Sequence, residues 1–388
     1  MTDKPRFEGE RVKLGDVCTI VSGATPKTKT GEYWDGEIKW VTPAELDNDS
    51  HYISDTEKHL TEAGYKSAGL HMMPKGTVLL TTRAPIGKVA IAAEEMSCNQ
   101  GFKNLVCSSA INNEFLYLYL KSRTAELRAM GRGVTFKELS KKSVAGFEIN
   151  LPAIDRQLDA VAKLTAVGNQ IARAKQQHDQ LDALVKSRFV EMFGEPTTRC
   201  GRWPLVRLDS FAQVVTGNTP SRKNPEYYGE GIEWVKTDNI VNSAITASAE
   251  QLTKTGRAKA RIAPAGSILM ACIAGSVNSI GKVGLLDREA AFNQQINAIV
   301  PSCGVNSRFL LTMLTLSKDY LCSDVNQQLK GILNKTALSA KQFPLPPFEL
   351  QQQFASFVAQ IDKSRFIAQQ QIEKLQMLYD SLAQEYFA

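Results

Sequence analysis

The chain is one unit written twice, and this doubling constrains its fold more than any other feature. Val12-Lys13-Leu14 recurs as Val206-Arg207-Leu208, and Gly23-Ala24-Thr25-Pro26 as Gly217-Asn218-Thr219-Pro220. Glu32-Tyr33-Trp34 recurs as Glu226-Tyr227-Tyr228, and Ile38-Lys39-Trp40-Val41 as Ile232-Glu233-Trp234-Val235. Every pair is 194 residues apart. Between positions 12 and 41, twelve of thirty residues are identical to their partners, against roughly two expected from ordinary composition. The same offset links Gly87-Lys88-Val89 to Gly281-Lys282-Val283, Asn99-Gln100 to Asn293-Gln294, Leu151-Pro152 to Leu345-Pro346 and Phe193 to Phe387. The chain has 388 residues, so the repeat accounts for all of it and predicts two like halves rather than one large core.

The copies differ in a telling place. Pro74-Lys75-Gly76 matches Pro264-Ala265-Gly266 at an offset of 190, so the second copy is four residues shorter up to that point. Six residues, Thr81 to Ile86, separate Leu80 from Gly87, whereas ten, Ala271 to Ile280, separate Met270 from Gly281. The framework is shared and this loop is not, which is how recognition varies on a fixed scaffold.

Each half reads as a mixed α/β domain followed by a long helix, an α+β class overall. Gly76–Leu80 with Lys88–Ala92, and Gly266–Met270 with Lys282–Leu286, look like hairpin strands. Phe115–Arg128 and Phe309–Tyr320 read as short helices. Leu151-Pro152 and Pro344-Leu345-Pro346-Pro347 are helix-start signals. Small and apolar residues then recur at three and four spacing: Val161, Leu164, Gly168, Ile171, Ala174, His178, Leu181, Val185, Phe189 and Met192. The second copy continues Phe354, Val358, Ile361, Ala368, Ile372, Leu375, Leu378, Leu382 and Tyr386. Gly194 and Pro196 close the first helix. At 1.5 Å per residue each helix is a rod of roughly 60 Å, and a seam this long requires a partner, the simplest being its twin. The expected layout is a first domain over 1–150, a helix over 151–194, a second domain over 195–345 and a helix over 346–388.

No run of 18 apolar residues exists, so a membrane span is not expected. The N-terminus lacks a basic stretch leading into an apolar one, which points to the cytoplasm. Seven cysteines (18, 98, 107, 200, 272, 303, 322) form no C-x-x-C pair, and the four histidines fall in no metal-ligand spacing. Net charge is only +6, but residues 101–150 carry eight Lys/Arg against four Asp/Glu, and 251–300 carry six against two. Such local basicity is compatible with nucleic acid without establishing it.

Catalytic motifs are weak. Asn224-Pro225-Glu226-Tyr227 is similar to the Asn-Pro-Pro-Tyr of amino-group DNA methyltransferases, but its twin is Thr30-Gly31-Glu32-Tyr33 and no Gly-rich cofactor loop follows a strand. It reads as a turn. Glu37-Ile38-Lys39 fits half of a nuclease site and lacks an acidic partner. No phosphate-binding G-x-x-x-x-G-K-[ST] loop occurs, so ATP chemistry is not expected in this chain. Other segments suit DNA contact. Thr25-Pro26-Lys27-Thr28-Lys29 and Thr219-Pro220-Ser221-Arg222-Lys223 combine a turn with hydroxyls and cations, the groups that hold phosphates. Asn99-Gln100 and Asn293-Gln294 offer amides for adenine edges or for structural bonding. Gly131-Arg132-Gly133-Val134-Thr135-Phe136-Lys137 is a basic loop whose counterpart is Gln327-Gln328-Leu329-Lys330-Gly331. Tyr33, Trp34, Trp40 and Trp234 read as core rather than stacking platforms.

Taken together, these features resemble the specificity (S) subunit of type I restriction–modification systems. The resemblance is carried by the Gly23–Pro26 and Gly217–Pro220 turns with their aromatic followers, the Pro-x-Gly…Gly-Lys hairpins, the Pro346–Gln351 helix start and the helix end Leu184–Gly194. The first helix start, Pro152-Ala153-Ile154-Asp155-Arg156-Gln157, departs from the pattern in having one proline, and Asp for Glu. The resemblance implies two target recognition domains, each reading half of an asymmetric bipartite site in double-stranded DNA, with the helices paired antiparallel to set the spacing. It implies no catalysis and no cofactor in this chain. S-adenosylmethionine would belong to two adenine-N6 methyltransferase (M) subunits, and ATP with Mg to motor-nuclease restriction (R) subunits. Candidate DNA contacts in the first half are Thr25, Lys27, Lys29, Arg83, Lys88, Asn99, Gln100, Arg132 and Lys137. In the second half they are Thr219, Arg222, Lys223, Asn278, Lys282, Asn293, Gln294, Gln328 and Lys330. The alternatives are a fused methyltransferase–specificity enzyme and a coiled-coil scaffold that binds only protein.

Overall fold

The computed structural model describes residues 9–83, 85–131, 137–197, 202–240, 244–245, 247–273, 279–323 and 332–387. The chain divides into two compact units, Met1–Ala174 with Gln371–Ala388, and Lys175–Gln370. Each unit therefore holds one copy of the α/β part and a portion of both long helices. Among the described residues, no helix is long and apolar enough to cross a membrane.

In the first unit, a five-stranded sheet runs in the order Cys18–Ser22, Lys103–Cys107, Val78–Leu80, Val89–Ala92, Tyr52–Ile53. All its neighbours are antiparallel except the last pair. The second unit repeats this order with Ala212–Thr216, Ile296–Pro301, Ile268–Ala271, Val283–Leu286 and Ala244–Ile245. The expected hairpins are thus the centre of each sheet. Both their strands are buried, with Val78, Leu79, Leu80 and Ile91 at 0% exposure in the first unit. The reason is packing on both faces: Val78, Leu80 and Ile91 pack against the helix side, while Leu79 and Ala90 face a smaller cluster with Val41, Met96 and Phe102. A smaller sheet carries Trp34–Val41 in the first unit and Tyr228–Val235 in the second.

The segments read as single short helices are each broken in two. Asn113–Ser122 and Thr124–Met130 are separated at Arg123, and Ser307–Leu316 and Lys318–Cys322 at Ser317. Buried Ser317 bonds back to the Met313 carbonyl at 2.7 Å, a local side-chain bond that competes with helix continuation. At Arg123 the guanidinium instead donates to the Phe387 carbonyl of the second long helix.

The long helices are Ile154–Phe193 and Phe348–Phe387. Their starts are fixed by a device repeated in both units. Buried Gln157 donates to the carbonyls of Pro152 (2.8 Å) and Ala110 (3.0 Å) and accepts from the Asn112 amide (2.8 Å). Its twin Gln351 donates to Pro346 (2.8 Å) and accepts from Asn306 (2.9 Å). Asn112 and Asn306 in turn cap the domain helices that follow them, so one buried amide joins each long helix to its domain. At the other end, Gly194 adopts φ +83° and bonds to Val190, the left-handed C-cap expected there.

The helices pair antiparallel within each unit. In the first, Tyr386 donates to Asp159 at 3.1 Å, and Tyr379 lies 3.8 Å from the space a side chain on Gly168 would take. In the second, Arg365 pairs with Asp182 at 2.5 Å, while Phe354 packs on Phe193. The first helix buries Ala160, Leu164, Val167, Ile171 and Ala174, an alternation of four and three. One seam residue differs from expectation: Leu378 is 47% exposed, and Tyr379 takes the inward place. The rhythm 368, 372, 375, 379, 382, 386 alternates steps of four and three, an alternation that Leu378 would interrupt with two threes and then two fours.

Candidate nucleic-acid interface

Each unit gathers the loops marked in the sequence. In the first, the Gly23 turn is pressed onto the Asn99 turn: a side chain at Gly23 would lie 2.1 Å from the Asn99 carbonyl. Gly217 is held as tightly, 2.2 Å from the Asn293 carbonyl. No L side chain fits, so glycine is required for this approach. The neighbouring amides complete the join, Ala24 to the Cys98 carbonyl (3.0 Å) and Asn218 to the Phe292 carbonyl (3.1 Å). The threonine hydroxyls then donate to the glutamine carbonyls, Thr25 to Gln100 and Thr219 to Gln294. Two pairs of candidates are thus brought together in the same way in both units. An amide oxygen has two lone pairs, so each glutamine retains acceptor capacity beside its amide donors.

Rings support the turns from below. Trp40 Nε1 donates to the Ala24 carbonyl at 3.0 Å and Trp34 Nε1 to the Lys27 carbonyl at 3.4 Å. In the second unit the Tyr228 hydroxyl donates to the Pro220 carbonyl at 2.6 Å, so tyrosine replaces tryptophan while keeping a ring donor. Trp40 and Trp234 are 3% exposed and belong to the core, as read from the sequence.

The hairpin loop joins this cluster. Thr82 N–H donates to Gly101 (2.7 Å) and Leu139 N–H to Thr82 (2.9 Å). The second unit repeats the pattern with Cys272 to Gln295 (2.8 Å) and Leu333 to Cys272 (3.0 Å). The side chains at this shared crossing differ in kind. Arg83 bridges to Glu138, with Nε 3.0 Å from the carboxylate. The equivalent bridge joins Ile273 to Ile332.

The remaining candidates divide by environment. Lys27, Lys29, Lys137 and Lys223 are exposed, as is Gln294. Lys88 is half-buried, with its ammonium on the Leu46 carbonyl. Lys282 is half-buried. Asn99 and Asn293 are turned inward to their own turns, accepting from Gly101 (2.6 Å) and Gln295 (3.1 Å). Arg222 lies over the rings of Tyr228 (4.2 Å) and Trp234 (5.1 Å) and pairs with Glu250 at 2.6 Å. Lys236, with Arg222 behind it, holds the Glu250 carboxyl below its ordinary range against the opposing effect of burial. Arg132, Asn278, Gln328 and Lys330 lie outside the described residues. Glu138 was not among the sequence candidates, and neither was Lys103, whose ammonium stands 3.7 Å from it. Neither residue announces the pairing locally, since the two stand 35 positions apart and the burial of Lys103 is visible only in the fold.

Comparison with known proteins matches this architecture. Residues 8–183 and 201–377 each match the model of the type I restriction modification DNA specificity domain. The type I restriction enzyme MjaIX specificity subunit of Methanocaldococcus jannaschii is 27% identical over 394 residues, covering 95% of this chain and 90% of that protein. The HindI specificity subunit of Haemophilus influenzae is 31% identical over 115 residues, covering 29% of this chain and 24% of that one. Two solved chains share the fold. One is from a study of assembly and conformational transition of the type I R-M system, with TM-score 0.61, 18% identity and 99% of both chains covered. The other is an S subunit from M. genitalium, with TM-score 0.60, 12% identity, and 100% and 98% covered.

Proposed function

The chain belongs to the type I restriction–modification DNA specificity family, and from that membership we infer that each unit reads one half of an asymmetric bipartite site in double-stranded DNA. The observation that carries this reading is the loop cluster built twice on one frame with different chemistry at its crossing: Arg83–Glu138 in one unit, Ile273–Ile332 in the other. Guanidinium groups suit guanine edges, and apolar groups suit the thymine methyl, so the two half-sites differ. The contacts come from the Thr25 and Thr219 turns, Gln100 and Gln294, the exposed lysines and Arg83. The methyltransferase subunits dock on the long helices, supported by their outward apolar residues: Phe366, Ile367 and Met377 are each 64% exposed. Motor-nuclease subunits join the same complex. S-adenosylmethionine, ATP and Mg act in those partners, and this chain is a non-catalytic subunit of the cytoplasm.

Two experiments test this. Purified chain incubated with labelled S-adenosylmethionine and target DNA is expected to transfer no methyl group, and the same chain with its methyltransferase is expected to methylate one bipartite sequence. Transfer by the chain alone refutes the non-catalytic role. The second concerns spacing. Four residues inserted after His178, with four more at the facing position of the second helix, lengthen the pair by about 6 Å. At ~3.4 Å per base pair, the spacer between half-sites is expected to grow by about two base pairs while the half-site bases stay the same. Changed bases with an unchanged spacer would show that the helices do not set the distance.

A further inference from the structure

One pair of side chains in the first unit has no part in DNA reading. Cys18 and Cys107 are directly opposite in the antiparallel pairing of Cys18–Ser22 with Lys103–Cys107. The Ser108 amide donates to the Val17 carbonyl at 3.0 Å, so the next pair outward along the ladder is hydrogen-bonded. Alternation then makes Cys18–Cys107 a non-hydrogen-bonded pair, and the Cys18 amide indeed bonds elsewhere, to Leu14. In such pairs the side chains are closest, with Cα atoms about 4.5 Å apart, inside the range of about 4.4–6.8 Å that a disulfide needs. The facing thiols shift each other in opposite directions, Cys107 down and Cys18 up, and burial adds to the rise at Cys18. Cys107 is half-buried and Cys18 buried. The second unit builds the same sheet with Ala212 opposite Pro301, so the frame does not require thiols here.

We propose that Cys18 and Cys107 form a reversible dithiol–disulfide site that takes low-molecular-weight disulfides as oxidant and locks the strand pair carrying the Thr25 and Gln100 turns. The Cys107 thiolate attacks one sulfur of the oxidant, breaking its S–S bond and releasing one thiol after protonation. Cys18 then loses its proton, attacks the Cys107 sulfur and expels the second thiol. Two protein thiols are oxidised by two electrons, and one small disulfide is reduced to two thiols. The cross-link lies at the opposite end of the strand pair from Ser22 and Lys103, beyond which the two turns begin, so it clamps the strands without touching the candidate DNA contacts.

The test uses the full chain at low concentration with oxidised glutathione, followed by alkylation, trypsin and mass spectrometry. The expected product is the peptide 14–27 joined to the peptide 104–121, lighter than their sum by two hydrogens, with buried Cys98 and Cys272 still reduced. Cys18→Ser is expected to trap Cys107 as the glutathione adduct, and Cys107→Ser to leave Cys18 unmodified. In the linked chain, amide exchange across 18–22 and 103–107 is expected to slow by about tenfold. Recovery of both peptides unlinked, or as separate glutathione adducts, overturns the proposal. A linked peptide with unchanged exchange refutes the lock.

Discussion

Phe189→Ala is expected to destabilise the chain by about 3–5 kcal/mol, the cost of deleting a fully buried phenyl ring. Phe189 is 0% exposed. It lies edge-on to Phe193 and Phe354, at 5.1 and 5.4 Å, and stacks on Phe309 at 5.6 Å. The last two belong to the second long helix and to the domain helix Ser307–Leu316. One ring therefore holds three elements of the second unit together. The twin positions show why the hole would not refill. The first unit has Ala383 and Ala160 where the second has Phe189 and Phe354, and fills the space with Tyr119, Tyr386 and Phe387. The second unit has Met313 and Met192 in place of those tyrosines. Urea unfolding checks this, with Leu184→Ala on the same helix as control. Leu184 is 46% exposed, and its truncation in the isolated chain is expected to cost within about 0.5 kcal/mol. Equal effects from both variants would mean that the phenyl cluster does not join helix to domain. A loss of 3–5 kcal/mol is a large share of the ~5–15 kcal/mol that holds an ordinary domain folded.

The legibility of this molecule in its sequence follows the range of each interaction. The repeat exposed the architecture because identical framework residues at a fixed offset need no knowledge of contacts. Gly23 and Gly217 marked tight approaches, and the structure supplies the surfaces they approach, the Asn99 and Asn293 carbonyls. Hydrophobic rhythm placed the long helices but chose Leu378 over Tyr379, because both fit steps of three or four and hydropathy ranks leucine higher, while the strict alternation of four and three decides which side chain faces inward. Long-range polar pairing was invisible. Nothing adjacent to Gln157 announces Asn112, 45 residues away, as its partner. Thr25 and Gln100 are 75 residues apart, and both were legible as candidates without any sign that they bond to each other. Lys88 read as a candidate DNA contact, and its ammonium is held on a backbone carbonyl; this depends on the course of a loop, which composition does not record.

Arg83→Ala, in the complex assembled with methyltransferase, is expected to reduce discrimination by about 1–3 kcal/mol at one base pair, roughly 5- to 150-fold, in one half-site only. The structure pairs Arg83 with Glu138, and this sharpens the prediction. Their side chains are 47% and 36% exposed, and an ion pair that open contributes no more than ~1 kcal/mol to folding. A larger effect on DNA therefore comes from recognition and not from unfolding. The carboxylate would orient the guanidinium, leaving its other donors for a base edge, since guanidinium carries five N–H groups in a fixed fork. Glu138→Gln separates the roles: it keeps a hydrogen-bond acceptor and removes the charge. If Arg83 reads a base, Glu138→Gln is expected to weaken discrimination at the same base pair as Arg83→Ala, to a smaller degree. If Arg83 holds a phosphate, Arg83→Ala weakens all sequences evenly and lowers the salt slope by about one. Ile273 and Ile332 occupy the equivalent bridge in the other unit, which supplies the internal control. Ile332→Ser is expected to act on the opposite half-site and to leave the half-site of Arg83 unchanged. Both readouts come from one library randomised in the two halves. Losses from Arg83→Ala shared equally between the halves, or absent from both, would remove Arg83 as the reader of its own unit's half-site.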